Sequence, residues 1–326
     1  MNHHFTAVDK VSIRSMLEDA LATEVTILRR EVIRHWSESR VEKVIASRDS
    51  GQFSIILKHV KPQDPEPRVH KAIGSALTGG QHSPPVPCLL AVVNRGSDVV
   101  MLMEFVEGQI LAEDATQENY RTAVAQLADI HGRYWCQDKA LQAFDVPVFG
   151  EGLFKQRAEE AIAGCRRQIS RGVYTGITEE DLNTAGSALS DYVDSIEFLA
   201  AQPRTLTHGD FHYGNVFLRQ GGGIAITDWG SAAAGIGLTD VIALIDVSRR
   251  MGKPVPDEAD LVSLYHEETV RRVGQWVADA DYRRLVGLCR VFRALEELRW
   301  FNGTGDDYGR RATRELEIIR SPNLDL

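Results

Sequence analysis

The sequence predicts an α+β fold in two lobes: a front lobe built on a five-stranded antiparallel sheet with one lateral helix, and a mostly α-helical back lobe that carries a β-hairpin. Three observations predict it. Short segments rich in β-branched residues crowd the first hundred positions. After "EG" at 107–108 the apolar spacing becomes helical. The later strand signals, "NVFLR" and "GIAITDW", flank "QGGG", which has the composition of a hairpin turn. A chain of 326 residues is longer than a typical single domain, which fits two lobes with a cleft between them. The expected division is 1–103 for the front lobe and 104–326 for the back lobe, joined by a hinge near 104–108.

The elements follow in order. "DKVSIRSMLEDALATE" spaces Val11, Ile13, Leu17 and Leu21 at roughly helical intervals behind Asp9, a capping residue. "EVTILRREVI" (24–33), "RVEKVIAS" (40–47) and "FSIILKHV" (53–60) read as an antiparallel meander, with "RDSGQ" supplying turn chemistry between the last two. "EPRVHKAIGSAL" is the lateral helix, and "TGGQHSPPVP" after it is a cluster no regular element crosses. "CLLAVVN" and "DVVMLMEFV" complete the sheet. Beyond them, "ENYRTAVAQLADIHGRYW", "TEEDLNTAGSALSDYVDSIEFLAA" and everything from about 254 onward carry helical periodicity.

Composition narrows the class. Hydrophobic content of 43% with 25% charged residues is that of a globular protein, and no apolar run reaches the length of a membrane span. The start shows no secretory signal pattern, so a cytoplasmic location is expected. A net charge of −9 argues against nucleic-acid binding, which needs a basic surface. Cys88, Cys136, Cys165 and Cys289 lie far apart and form no C-x-x-C pair, which points to reduced thiols rather than disulfides or zinc.

The densest chemistry lies in "HGDFHYGNVFL" (208–218). Asp210 and Asn215 stand five apart, and Asp228 follows thirteen residues after Asn215, at the far end of the hairpin. A hairpin returns its second strand to the start of the first, which brings Asn215 and Asp228 together. An amide oxygen and a carboxylate are hard ligands suited to Mg²⁺, which takes a few protein oxygens and completes its shell with phosphate. Asp210 is then left to orient an incoming hydroxyl and accept its proton, the general-base role of phosphoryl transfer. Asp and Asn also satisfy backbone groups in ordinary tight turns, and that reading stands beside the catalytic one.

The spacing H208-G-D210-F-H212-Y-G-N215 with D228-W-G230 resembles the catalytic loop and metal motif of kinases. In its particular form it resembles the aminoglycoside phosphotransferase family of small-molecule kinases, a branch of the protein-kinase-like fold. That resemblance implies ATP and Mg²⁺ as cofactors, residues 1–103 as a nucleotide-binding lobe, and 104–326 as the catalytic and substrate-binding lobe. It implies that Lys58, ending "SIILK", contacts the α- and β-phosphates with Glu66 as its ion-pair partner; a glutamate also suits any helix start. The backbone at Glu104, Phe105 and Val106 in "MLMEFVEG" is similar to the hinge that meets adenine, and Asp240 in "GIGLTDV" is similar to an aspartate that braces the catalytic loop. His208 and His212 are expected to hold that loop through hydrogen bonds, and His131 and Trp135 to pack in the core.

Two departures qualify the resemblance. The turn "HWSESR" (35–40) has no glycine, so a glycine-rich phosphate cover is missing and Ser37 and Ser39 are the candidate replacements. No "APE" motif follows Asp228, which counts against a protein kinase. The expected partners are ATP and a hydroxylated small molecule, with no nucleic acid and no membrane. "YHEET", "DADY", "LEELRWF" and "GDDYG" supply carboxylates for an amino-bearing acceptor such as an aminoglycoside. Choline- or sugar-type metabolic kinases share the same motifs, and a nucleotide-binding pseudokinase acting as a regulatory module is the non-enzyme alternative. The paired arginines 271/272, 283/284 and 310/311 are expected on solvated helix faces.

Overall fold

In the computed structural model, which describes residues 8–35, 39–76, 85–173, 177–255, 257–300 and 306–322, helix α1 (Lys10–Leu21) starts behind Asp9, whose carboxylate accepts the Ser12 N–H at 2.9 Å. It buries Ile13 and Leu17 against the sheet, each burial contributing about 1.5–3 kcal/mol. Val11 leaves this stripe and is 76% exposed, because a residue two positions before Ile13 points to the opposite side of a helix.

The sheet contains β1 (Thr26–His35), β2 (Ser39–Arg48), β3 (Gly51–Val60), β4 (Leu89–Asn94) and β5 (Val99–Glu104), with α2 (Glu66–Ala76) between β3 and β4. Its order is β1-β2-β3-β5-β4, and every pairing is antiparallel. Sequence explains the swap of the last two strands. Val99 to Met103 form an unbroken buried run, as an interior strand needs, whereas β4 exposes alternate residues and suits an edge. The pleat sends Val100 and Leu102 of β5 to the α1 side with Val44, Ile55 and Leu57, and Val99, Met101 and Met103 to the other face with Val60.

Two compact units make up the chain. One comprises Met1–Ile110 with Asn215–Ser231, the other Leu111–Gly214 with Ala232–Leu326. This differs from a single cut at 103/104, because the hairpin groups with the front sheet. Its strand β8 (Val216–Arg219) pairs on one side with β6 (Gly108–Ile110) and on the other with β9 (Ile224–Ile226), and the Ile226 N–H donates to the Pro85 carbonyl at 2.8 Å.

The second unit holds α3 (Gln117–Tyr134), α4 (Asp138–Ala143), α5 (Glu151–Ser170), α6 (Glu179–Asp194), α7 (Ile196–Ala200), α8 (Leu238–Arg250), α9 (Glu258–Val273), α10 (Asp279–Trp300) and α11 (Asp306–Arg320). It also contains the short antiparallel pair β7 (Thr205–Thr207) and β10 (Ala233–Gly235). α10 packs against α5, α8 and α11. The helical stretch read across 178–201 divides at Ser195 into α6 and α7; α6 is opened by a capping box between Thr178 and Asp181. Of the paired arginines, Arg272 departs from the expected solvated face: its side chain is 14% exposed and bound to Asp129 and Glu268. Among the described residues, no helix is long and apolar enough to cross a membrane.

Candidate active site

In the first unit the chemistry gathers around Lys58. β3 carries this lysine with Val41 and Met101 as its lateral neighbours, and its side chain is 5% exposed. An ammonium taken this far from water needs anions close by. Glu66 Oε2 lies 2.5 Å from Nζ, and Asp228 Oδ1 lies 2.6 Å away. Burial works against the charged lysine, but the two carboxylates outweigh it and raise its pKa above the ordinary value. Glu66, almost fully enclosed, is pushed up to about 7 by burial, with Lys58 opposing and Asp228 and Asp64 adding to the rise. The helix-start glutamate is thus more than a dipole partner: it shares the lysine with Asp228.

Asp228 is placed by the hairpin. Val216 pairs with Ile226, and the Thr227 N–H donates to the Asn215 carbonyl at 2.9 Å, so Asn215 and Asp228 leave the same end of the ladder. Gly222 (φ +88°) and Gly223 (φ +77°) take left-handed conformations in the connecting turn. Asp228 itself stands at φ +68°, a strained value for a residue with a β-carbon. Trp229 is fully buried behind it and donates its Nε1–H to the Ile226 carbonyl. Burial opposes ionisation of Asp228, but Lys58 and Arg34 hold its carboxyl well below the usual range. Arg34, on β1, reaches Oδ2 at 2.7 Å.

These residues fit a magnesium ion in the chemistry of their donors. Asp228 is ionised, and its two oxygens face cations, so the position is already organised around positive charge. Asn215 is 6% exposed and sits at the same hairpin end. Two hard-oxygen ligands are the small protein complement such an ion takes beside phosphate.

In the second unit the centre is the loop 208–214. Asp240, near the start of α8 and 2% exposed, accepts the N–H groups of His208 at 2.6 Å and Gly209 at 2.9 Å. His131 Nε2 is 3.3 Å from the same carboxylate, and His131 Nδ1 is 2.8 Å from the Tyr265 hydroxyl. Gly209 takes φ +80°, which lets the chain turn over Asp240. His208 Nδ1 accepts the Asp210 N–H at 3.2 Å, and His212 Nδ1 accepts the Gly214 N–H at 3.0 Å. Each neutral ring then carries its proton on Nε2. For His212 that nitrogen lies 3.6 Å from Asp210 Oδ2.

Asp210 is the open member of the set, with a side chain 49% exposed. Partial enclosure resists its ionisation, but nearby His212 and the Arg293 guanidinium help to lower its pKa below the ordinary value. Arg293, on α10, also donates to the Gly209 carbonyl at 3.2 Å and lies 3.4 Å from Glu297. A half-exposed, ionised carboxylate on a tightly held loop is able to orient a hydroxyl.

The other expected residues occupy varied settings. Ser39 is buried at the start of β2, and Ser37 lies outside the described residues. Glu104 is bound through its carboxylate to Arg219 and the Cys88 N–H, Phe105 lies under the Lys43 ammonium at 3.7 Å, and Val106 is buried. His131 is in the core as expected, but as a polar partner of Asp240; Trp135 meets Trp276 edge to face. Sequence reasoning missed Arg34 and Arg293. Each acts on residues far along the chain, and neither belongs to a local motif.

Comparison with known proteins bears on the family and the fold. The profile of the phosphotransferase enzyme family (APH) matches residues 31–284. No curated protein matches the sequence. Among solved structures, the choline kinase LicA from Streptococcus pneumoniae is similar at 14% identity and TM-score 0.60, covering 96% of this chain and 99% of that one. Aminoglycoside phosphotransferase APH(2'')-Ib in its ADP-bound form gives 15%, 0.58, 96% and 98% for the same measures. A thermostable mutant of APH(4)-Ia in ternary complex with AMP-PNP and hygromycin B gives 15%, 0.53, 97% and 99%. Structural likeness at this identity concerns the kinase-like fold alone, whereas the family match spans most of the chain: the protein belongs to the phosphotransferase enzyme family and is a kinase-type phosphotransferase.

Proposed function

We propose that the chain transfers the γ-phosphoryl group of ATP to a hydroxyl of a small molecule with Mg²⁺ as cofactor. The observation that carries this reading is Lys58 held between Glu66 and Asp228, a buried cation of the kind that neutralises a nucleotide's phosphates. Asn215 and Asp228 would hold the magnesium, which supplies neutralisation of phosphate oxygens when bound. Lys58 neutralises further phosphate charge, and backbone groups at Glu104–Val106 receive the adenine. Asp210, ionised and half-exposed, orients the acceptor hydroxyl and takes its proton late, as suits a weakly basic carboxylate facing a loose transition state. Asp240, His208 and His212 keep its loop fixed.

The acceptor is a second question, and one observation bears on it. Of the carboxylates that point to an amino-bearing acceptor, Glu268 is matched by Arg271 and Arg272, Glu296 by Arg157 and Arg299, and Glu297 by Arg250 and Arg293, while Glu267, Asp279 and Asp281 are exposed. An amino-bearing acceptor such as an aminoglycoside therefore has exposed carboxylates to meet, and a choline- or sugar-type metabolite is the alternative. The test is ADP release from ATP and Mg²⁺ across aminoglycosides, choline, amino sugars and neutral sugars, with Asp210→Ala as control. Acceptor-dependent release that the control abolishes supports the kinase reading and names the acceptor; release that survives in the control removes Asp210 from its role.

A further inference from the structure

We propose that a cavity lined by α8, α10 and α11 binds a small hydroxylated acid, a ligand apart from ATP and the acceptor discussed above. The cavity measures about 230 Å³, room for roughly eight waters at about 30 Å³ each. Asp246 and Arg249 come to it from α8, Arg290 from α10, and Arg314, Glu317 and Ile318 from α11. Asp210 is not among the residues that line it.

The fold leaves several of these charges short of partners. Asp246 is 6% exposed, and its Oδ1 accepts no hydrogen bond among the described residues; Arg290 Nη2 stands 3.8 Å from it. Burial raises the Asp246 pKa although Arg290, Arg249, Arg314 and Arg250 all oppose the rise, so the carboxylate lacks a donor of its own. Arg290, equally enclosed, donates from Nη1 to the Pro322 carbonyl at 2.9 Å, and its Nε has no acceptor. Arg249 is bound to Glu258. Arg314 makes no hydrogen bond or ion pair among the described residues. A buried carboxylate and guanidinium with open hydrogen-bonding positions beside a cavity suit a ligand that brings both a donor and an acid group.

The lining selects the class of ligand. Three guanidiniums against two carboxylates favour an anion, and a guanidinium fork takes carboxylate or phosphate oxygens in pairs. Asp246 needs a donor. An ammonium would serve its oxygen but would stand beside Arg290, 3.8 Å from the same atom, whereas a hydroxyl donates without adding positive charge. Ile318 supplies an apolar wall for a short carbon chain. A carboxylate or phosphate ester of a few hydroxylated carbons meets all of these demands. α8 and α10 also hold the loop 208–214, through Asp240 and through Arg293, one turn beyond Arg290. A ligand in the cavity therefore bridges two helices on which that loop rests.

Calorimetric titration of the full chain without nucleotide tests the proposal with four three-carbon probes: glycerol 3-phosphate, glycerate, glycerol and 3-aminopropane-1,2-diol. The two acids should bind roughly ten-fold or more tightly than the neutral and cationic probes, and the tighter of the two names the acid group. Arg314→Gln should weaken both acids by roughly ten-fold, while Asp210→Ala leaves them unchanged. Propyl phosphate, which lacks the hydroxyls, should bind the parent roughly five-fold more weakly than glycerol 3-phosphate, and Asp246→Ala should bind the two equally. Arg314→Gln carries the test if Asp246→Ala does not fold. Equal binding of the four probes, binding of none, or unchanged acid affinity in Arg314→Gln overturns the proposal. Loss of acid binding in Asp210→Ala places the acids at the catalytic loop and overturns it as well. The kinase reading is decided separately, by ADP release.

Discussion

Replacing Asp240 by alanine tests how the loop that carries Asp210 is held. The carboxylate accepts the buried N–H of His208 and the partly buried N–H of Gly209, and neighbours His131 Nε2. A buried donor left without an acceptor costs about 1–3 kcal/mol, so two cost roughly 2–6 kcal/mol, offset in part by no longer burying a charge. The expected net loss is about 2–4 kcal/mol, a large share of the ~5–15 kcal/mol that stabilises a typical protein. Hydrogen exchange reads it at the right place: protection of the His208 and Gly209 amides should fall by roughly 30- to 1000-fold. The pH dependence has a definite sign. Burial opposes ionisation of Asp240, but His131 and the His208 N–H outweigh it and depress the pKa. Its contribution is therefore complete above the unfolded value of about 3.9 and is lost as pH falls through the lower folded value. The deficit of the variant should be constant from pH 6 to 9 and shrink only in acid. Equal protection of both amides in parent and variant would refute the reasoning, since the loop would then be held by other groups.

Three further outcomes follow from particular contacts. Gly214→Ala would set a β-carbon 2.8 Å from His212 Cε1 and turn the ring away from Asp210; turnover should drop by roughly ten-fold while the unfolding free energy from urea titration stays within about 1 kcal/mol of the parent. Lys58→Met leaves Glu66 buried without its cation, at a cost of about 3–5 kcal/mol; because Glu66 already titrates near 7 and escapes by protonation, urea titrations should show a smaller loss at pH 5.5 than at pH 8, and equal losses would contradict the pairing. Glu315 on α11, 3% exposed, is raised to about 8 by burial, with Arg250 opposing. Its folded pKa lies above the unfolded one, so stability declines as pH rises from about 4.5 to about 8, and Glu315→Gln should flatten that decline by roughly 5 kcal/mol, read from unfolding free energies across the range.

Much of this was open to reading in the sequence, and the physical reason is locality. The five front strands and the lateral helix carry β-branched runs, turn residues and a helix start within a few positions of each other, so their existence needs no distant information. The same holds for the hairpin that carries Asn215 and Asp228, whose turn glycines lie between its strands. What escaped depends on the far side of the chain. β6, β7 and β10 have three residues each, too few for any periodicity, and exist because a partner strand is already in place. β5 lies between β3 and β4, an order visible only in the burial of both faces of "VVMLM". Arg34 and Asp228 are 194 positions apart, and Arg293 and Gly209 are 84 apart. Arginines are common on surfaces, and only packing distinguishes these two from the others.

Three aspartates show why residue type alone does not assign a role. Asp240, Asp228 and Asp210 have side chains 2%, 26% and 49% exposed, and their partners change along the same series. Asp240 faces backbone N–H groups that cannot leave, so its carboxylate is fixed and its work is to hold a loop. Asp228 faces two side-chain cations, Lys58 and Arg34, and stands at φ +68° in the left-handed region. Asp210 is the most exposed of the three, with His212 Nε2 3.6 Å from its Oδ2 and the Arg293 guanidinium helping to lower its pKa. Under the proposed function, exposure and the kind of partner therefore order Asp240, Asp228 and Asp210 as loop support, metal ligand and general base. The criterion also predicts which substitutions act on folding and which act on turnover.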